Sequence, residues 1–202
     1  MNSEAREQIL NSIRNNKPEN VPYSPLRDFS SSGVEGNILE LFKKHLKEAF
    51  ANWHEVNTMD EAISLIHQLH PDAKVICSAT PEITGNRPIH AADDPHSLED
   101  VDVGVIRAKF GVAENGAVWL TQEDLIVNAL GFLSQHLIIL LDPDKIVGNM
   151  HSAYKKVELE KHNYGCFMMG PSATADINAV HIDGAQGARS LNVFFIKQMT
   201  IV

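Results

Sequence analysis

The stretch VDVGVIRAKFGVAENGAVWLT, from Val101 to Thr121, decides the fold of this chain. Its beginning, 101–108, and its end, 117–121, are mainly apolar runs typical of strands. The Asn-Gly pair between them is a strong hairpin signal, because both residue types accept a positive φ. The pattern therefore predicts a strand, a tight turn and a second strand, with Glu114 at the lip of the turn. The Glu114 carboxylate is either a solvated turn residue or a functional group, and the local pattern leaves both open.

Helices and strands alternate along much of the remaining chain. Predicted helices begin at the capping residues Asn37 and Thr58. A third helix is expected to open at Asp142-Pro143, with an inward stripe of Ile146, Met150 and Tyr154. Apolar runs predict further strands at 74–78, 136–141, 164–169 and 191–196. This alternation indicates an α/β protein with a mostly parallel central sheet and helices on its faces.

Two segments outside these elements are rich in helix and strand breakers. Residues 1–36 are expected to form a short helix at 3–15 and a flexible arm, and residues 37–202 the folded domain. The segment 79–100 contains four breakers, Pro81, Gly85, Pro88 and Pro95. We expect a long loop there that borders a ligand crevice, as loops at strand ends often do in α/β folds.

Composition restricts the class of function. With 202 residues, 44% hydrophobic and 21% charged, the chain has the profile of a soluble globular protein. Its net charge of −9 argues against nucleic acid and anionic membranes as partners, because both attract clustered Lys and Arg. The sequence shows no signal-peptide pattern and no apolar run long enough to span a bilayer. We therefore expect a cytoplasmic protein without membrane insertion.

The cysteines and histidines do not indicate a cofactor. The two cysteines, Cys77 and Cys166, each lie within an apolar run, where a buried thiol is expected. Two thiolates are too few for an iron–sulfur cluster, which usually takes four. The ten histidines form no recognised ligand spacing with these cysteines. We expect neither a cofactor nor a metal site in this chain.

A second motif, GPSATADI at 170–177, follows the strand predicted at 164–169. Ser172 or Thr174 fits a helix cap and Asp176 fits the first turn, so the motif predicts the start of a helix. A strand, a glycine-containing turn and a helix N-terminus together present backbone N–H groups to an anion. The same residues are also ordinary capping residues, so a purely structural role stays open.

The motifs in this order carry a resemblance. The stretch 101–121, the strand at 136–141, the GPSATADI motif and the glycine-rich segment 184–189 resemble the LUD (lactate utilization) domain family, in particular its lactate-utilization protein C-like members. The resemblance spans about residues 37–202. It implies the Rossmann-like three-layer sandwich shared by glucosamine-phosphate isomerase, ribose-phosphate isomerase and the CoA transferases.

The resemblance also implies a function. The family is associated with the NAD-independent oxidation of L-lactate to pyruvate, in a complex whose other subunits carry iron–sulfur clusters. This chain is then the subunit that lacks a redox centre and binds a small anionic ligand. Assembly of the chain as a homo-oligomer also stays open. In the late family motif, Gln186 and Ala188 stand where His and Pro are usual. Gln186 can form hydrogen bonds but cannot carry a proton near neutral pH.

A local likeness concerns the turn itself. The sequence AENG at 113–116 resembles the Ser-Glu-Asn-Gly turn of CoA transferases, in which the glutamate becomes an acyl thioester. This likeness implies Glu114 as a nucleophile or base. No arginine lies between Arg107 and Arg189, so a substrate carboxylate would pair with one of these two, with Lys109 or with backbone amides.

Three functions follow as hypotheses. The first is the accessory subunit of lactate oxidation, the second an enzyme of CoA-transferase or sugar-phosphate-isomerase type, and the third a binding or regulatory module without chemistry. Glu114 is the candidate catalytic residue. The candidate ligand-binding residues are Asn115, Gly116, Gly170, Ser172, Thr174, Asp176, Gly184, Gln186 and Arg189.

Overall fold

A five-stranded parallel sheet forms the centre of the computed structural model, which describes residues 3–17, 36–158, 161–176, 178–180, 182–183 and 186–197. Every neighbouring pair in this sheet is parallel. Its strands are, in spatial order, β1 (Asn52–Glu55), β11 (Ser190–Phe195), β6 (His136–Leu141), β3 (Val103–Arg107) and β2 (Ile76–Ser78). The prediction of an α/β fold with a mostly parallel central sheet is confirmed.

Helices cover both faces of this sheet. Successive side chains of a strand point to opposite faces, so the mainly apolar central strands supply two separate cores. On one face, α3 (Met59–Leu69) packs against a cluster that includes Val105, Ile138 and Phe194. On the other face, α2 (Ile38–Glu48) packs against a cluster that includes Ile106, Ile139 and Phe195. The predicted three-layer sandwich is confirmed.

The two predicted helix caps are formed as expected. The side chain of Asn37 accepts hydrogen bonds from the N–H groups of Leu39 and Glu40 at the start of α2. The Thr58 hydroxyl accepts one from the N–H of Glu61 at the start of α3, at 3.1 Å. Helix α1 (Ser3–Asn15) forms where a short helix was predicted. Most of the arm that was predicted to follow it lies outside the described residues.

A second sheet carries the hairpin. Its spatial order is β7 (Ile146–Val147), β4 (Phe110–Val112), β5 (Ala117–Thr121) and β8 (Gly165–Met168). Strands β4 and β5 pair antiparallel around the predicted turn, but the first strand of this hairpin is β4, whereas the predicted run 101–108 forms β3 of the central sheet. The short helices α4 (Gln122–Leu125) and α5 (Leu130–Leu133) connect this sheet to the central sheet, and α6 (Met150–Tyr154) lies between β7 and β8. In the described part of the chain, no helix is long and apolar enough to cross a membrane.

The prediction of a helix that begins at Asp142 is wrong. Asp142 caps only a 3₁₀ turn, Pro143–Lys145, by accepting a hydrogen bond from the N–H of Asp144. The chain then enters β7, which pairs with β4 in parallel. Tyr154, expected to face inward, is 60% exposed. A strand pairing to residues far away in sequence therefore overrides the local helix signal.

Strand β1 is an element that the sequence pattern did not predict. Its four residues are polar or aromatic and mostly exposed, because β1 lies at the edge of the sheet beside β11. Such a strand lacks both the alternation and the continuous apolar run by which strands are recognised. Its presence places the last strand, β11, in the interior of the sheet.

Candidate functional site

The turn at 113–116 is held by backbone and side-chain hydrogen bonds. Of its residues, Gly116 has a positive φ, +71°, whereas Asn115 does not. The Asn115 side-chain oxygen accepts a hydrogen bond from the N–H of Ala117 at 3.0 Å. The carbonyl of Ala113 lies 2.6 Å from Nδ1 of His45 on α2. The Asn-Gly signal thus predicted the hairpin correctly, while a single residue carries the left-handed conformation.

Glu114 caps a helix in this structure. Its carboxylate is exposed, and Oε2 accepts a hydrogen bond from the N–H of Met150, the first residue of α6, at 2.8 Å. Its own N–H donates to the carbonyl of Gly148 at 3.0 Å. Glu114 is also absent from the lining of the three cavities described below. This geometry gives Glu114 a structural contact at the start of α6.

The prediction of a helix that begins at Ser172 is wrong. Ala173–Thr174 forms a short strand, β9, which pairs antiparallel with β10 (Ile182–Asp183). The N–H of Ser172 donates to the carbonyl of Ala188 at 2.9 Å, which binds the motif to the chain just before β11. The Asp176 N–H and carboxylate both contact the Thr174 hydroxyl, at 3.3 Å, so these two residues form a local turn. An anion site at a helix N-terminus is therefore not available here.

The predicted ligand-binding residues do not share one cavity. Gly170, Ser172 and Gln186 line a mainly apolar cavity of about 370 Å³, together with Phe132, Leu137 and Met168. Arg189 lines a different cavity, described further below. Gly184 lies outside the described residues.

A polar cavity of about 280 Å³ lies at the carboxyl edge of the central sheet. Its lining comes from the end of β3, from the residues that directly follow β2 and β3, from the turn that follows β6 and from α4. These strands are parallel neighbours, so their carboxyl ends meet here, where ligands bind in open α/β sheets. The predicted crevice loop, 79–100, supplies one wall through Ala79, Thr80, Pro81 and Glu82.

An ion pair between Arg107 and Glu82 lies in the wall of this carboxyl-edge cavity. Arg107 Nε donates to Glu82 Oε2, and the two side chains are 11% and 7% exposed. Thr80 also donates to Glu82 Oε2 at 2.9 Å, and Arg107 Nη1 donates to the carbonyl of Ile196 at 3.4 Å. Within the described residues, Arg107 Nη2 and Glu82 Oε1 are buried and have no hydrogen-bond partner. An unpaired buried polar atom costs free energy and calls for a partner.

Further charged side chains surround the pair. Lys109 lines the same cavity and forms an ion pair of 3.1 Å with Asp124. Lys145 and Glu123 complete the charged lining. Arg107 and Lys109 were candidates from the sequence as partners of a substrate carboxylate, because no arginine lies between Arg107 and Arg189. Glu82 was missed, because its partner Arg107 is 25 positions away and no local pattern marks the pair.

The cysteines occupy separate sheets. Cys77 is fully buried in β2, and Cys166 is half-buried in β8. Burial raises the pKa of both thiols. In the described part of the chain, no three His, Cys, Asp or Glu side chains come together as a candidate metal site.

Comparison with known proteins identifies the family. The chain is similar to a DUF162 family protein from Deinococcus radiodurans, with a TM-score of 0.60, 16% identity, and coverage of 79% of this chain and 96% of that chain. At this identity the likeness supports the fold alone. No curated protein matches the chain. The family model of the LUD domain matches residues 94–196, which is just over half of the chain. The matched residues include three strands of the central sheet, β3, β6 and β11. The chain belongs to the LUD domain family.

Proposed function

We propose that this protein is a non-redox accessory subunit in the NAD-independent oxidation of L-lactate to pyruvate, and that it binds a small carboxylate in the carboxyl-edge cavity beside Arg107. The lactate-oxidation role rests on LUD family membership. The binding role rests on one observation: the buried Arg107–Glu82 pair lines a cavity and retains an unpaired donor and an unpaired acceptor.

The chemistry of the pair suits a small organic acid. A guanidinium is the preferred partner of a carboxylate, because its planar N–H groups match the two oxygens. Glu82 Oε1 can accept a hydrogen bond from a hydroxyl group on the same ligand. Arg107 Nη2 and Glu82 Oε1 are buried, so binding requires the two side chains to rotate toward the cavity. The lining also holds two lysines and two further carboxylates, so the ligand carboxylate depends on Arg107 for its partner.

The iron–sulfur clusters of this proposal belong to partner subunits. The chain has two cysteines, in different sheets, and four thiolates are usual for a cluster. Its part is then to hold the organic acid or to stabilise the assembly.

The test of the lactate role is genetic. Clean deletion of the gene is expected to abolish growth of its host on L-lactate as the carbon source and to leave growth on glucose unchanged. A tagged copy is expected to restore growth and to co-purify with iron-containing proteins. Normal growth of the deletion strain on L-lactate would contradict the role.

The test of the site is a binding measurement on the purified chain. L-lactate, pyruvate and acetate are titrated and followed by NMR, with the Arg107→Lys variant beside the unmodified protein. Lysine keeps the charge and loses the planar fork, so we expect affinity to fall about tenfold or more. Arg87→Lys is the matched control, since Arg87 pairs with Asp100 at 3.0 Å, outside the cavity lining. Equal affinity of both variants would contradict the site.

The alternative of an enzyme with Glu114 as nucleophile has a separate test. Incubation with acetyl-CoA followed by mass spectrometry would show a CoA thioester on Glu114, absent in Glu114→Gln. The exposed position of Glu114 and its hydrogen bond to Met150 do not favour that chemistry, because a carboxylate nucleophile needs a desolvated pocket. A purely binding or regulatory module would bind the acid and leave growth on lactate unchanged.

A further inference from the structure

A second polar cleft, of about 390 Å³, lies at the opposite edge of the central sheet. It is lined by residues at the amino ends of three neighbouring parallel strands: Asp102 before β3, His136 at the start of β6 and Arg189 before β11. His70, at the end of α3, completes the lining on one side. The carboxyl-edge cavity lies at the other ends of β3 and β6, so the two cavities are separate.

Two stacked imidazoles form one wall of this amino-edge cleft. The rings of His70 and His136 are 4.2 Å apart between centroids and inclined by 24°. His136 Nδ1 lies 2.8 Å from the hydroxyl of Ser190, which fixes its orientation. Burial lowers the pKa of both histidines, that of His70 to about 4, so both rings are neutral at pH 7. The wall is therefore a flat, uncharged surface with hydrogen-bonding nitrogens.

Two opposite charges flank this wall. After burial, the charge of Arg189 lowers the pKa of His136 further and the charge of Asp102 raises it, so both charges lie near the imidazole. Their side chains nevertheless form no ion pair with each other. Within the described residues, the exposed Arg189 guanidinium has neither a hydrogen bond nor an ion pair. The guanidinium and the carboxylate in this cleft are thus available to a ligand.

Within the described ranges, one oxygen of Asp102 accepts hydrogen bonds and the other accepts none. Oδ2 accepts hydrogen bonds from the N–H groups of Lys74 and Val75, at 2.7 and 2.9 Å, which keeps the carboxyl ionised and fixed. Oδ1 accepts no hydrogen bond from the described part of the chain. A second carboxylate, Asp72, is exposed on the same lining. The cleft therefore presents one positive and two negative groups, which does not suit a simple anion.

We propose that the amino-edge cleft binds a small zwitterion of the α-amino acid class, with its carboxylate on Arg189 and its ammonium group on Asp102. The guanidinium provides the paired donors that a carboxylate requires. The fixed Oδ1 of Asp102 provides an acceptor for the ammonium group. The side chain of the ligand then lies against the imidazole wall and the adjoining apolar residues Leu69, Pro71 and Ala73.

The experiment is an NMR titration of the full chain with L-alanine, L-leucine and L-phenylalanine, observing the imidazole signals of His70 and His136. Substitution of each histidine by Gln assigns the two signals. We expect saturable shifts of both signals with at least one amino acid. Propionate and ethylamine each carry one of the two charged groups of L-alanine. Each is expected to bind at least about tenfold more weakly than the amino acid.

Variants test the two charged contacts. Arg189→Gln and Asp102→Asn are each expected to weaken binding about tenfold or more, while the unfolding midpoint in urea verifies that each variant is folded. Arg14→Gln, at an exposed arginine on α1, is the matched control and should bind like the unmodified chain. No shift with any of the three amino acids overturns the proposal. Equal binding of propionate and L-alanine, or unchanged binding in Arg189→Gln, overturns it as well.

Discussion

The guanidinium of Arg107 and the carboxylate of Glu82 form an ion pair that is almost completely buried at the carboxyl edge of the central sheet. Two charges removed from water gain stability only when their geometry and hydrogen bonds compensate the lost hydration. Thr80 and the carbonyl of Ile196 supply part of that compensation, and one nitrogen and one oxygen remain unpaired. Burial of the pair therefore costs free energy in the folded protein, and removal of only one partner costs more.

Removal of one partner is expected to destabilise the protein more than removal of both. Arg107→Met and Glu82→Leu each leave an uncompensated buried charge, and each should lower the free energy of unfolding by about 3–5 kcal/mol. The double variant should lose less than either single variant. Urea unfolding measures all three, with Lys161→Met, in the exposed pair with Glu158, as a control that costs about 0–1 kcal/mol. Simple addition of the two single costs would contradict the prediction.

Sequence patterns predicted the parts of the fold that depend on neighbouring residues. The caps at Asn37 and Thr58, the hairpin and the apolar central strands are all encoded within a few positions. The failures depend on distant pairing. Val147 pairs with Val112 where a helix was expected, and Thr174 pairs with Ile182 although it lies within a motif that resembles a helix cap.

The candidate sites show the same division. Arg107 and Arg189 were recognised from the sequence because arginines are scarce in this part of the chain. Glu82, which pairs with Arg107, and Asp102, which lines the same cleft as Arg189, could not be recognised, because loops and strand ends far apart in sequence bring these residues together. The two arginines also turned out to lie at opposite edges of the sheet, a separation that strand direction decides and that no short motif records.

The glycine of the hairpin turn permits a close approach to α2. A Cβ added to Gly116 would lie 2.8 Å from the backbone nitrogen of Leu46, and its φ of +71° is unfavourable for other residues. Gly116→Ala should therefore cost about 2–4 kcal/mol, from backbone strain and from displacement of the helix. Gly36→Ala separates the two effects, because Gly36 has a φ of +106° and nothing within 4 Å of an added Cβ. Equal losses in urea unfolding for both variants would show that the contact with α2 contributes nothing.

The helix-capping contact of Glu114 predicts a graded effect on stability. Glu114→Ala removes the acceptor of the Met150 N–H and should lower the free energy of unfolding by about 1 kcal/mol. Glu114→Gln retains a side-chain oxygen and should lose less. Glu99→Ala, at another exposed glutamate, serves as the control in the same urea titration. A Gln variant as unstable as the Ala variant would mean that the negative charge, and not the hydrogen bond, is what matters.

The stacked histidines predict a loss of stability in mild acid. Burial and the neighbouring His136 lower the pKa of His70 from 6.5 to about 4. Between these values the unfolded chain takes up a proton that the folded chain does not, so stability is complete above pH 6.5 and falls as the pH approaches 4. The loss from this group amounts to at most about 3 kcal/mol.

Other groups also titrate in this range. The informative quantity is therefore the difference in the free energy of unfolding between the unmodified chain and His70→Gln, measured in urea from pH 7.5 to 4. That difference should shrink by this amount on acidification. His67→Gln, at an exposed histidine on the same helix, is the matched control. A constant difference for His70→Gln would mean that the imidazole is protonated as easily in the folded protein as in the unfolded chain.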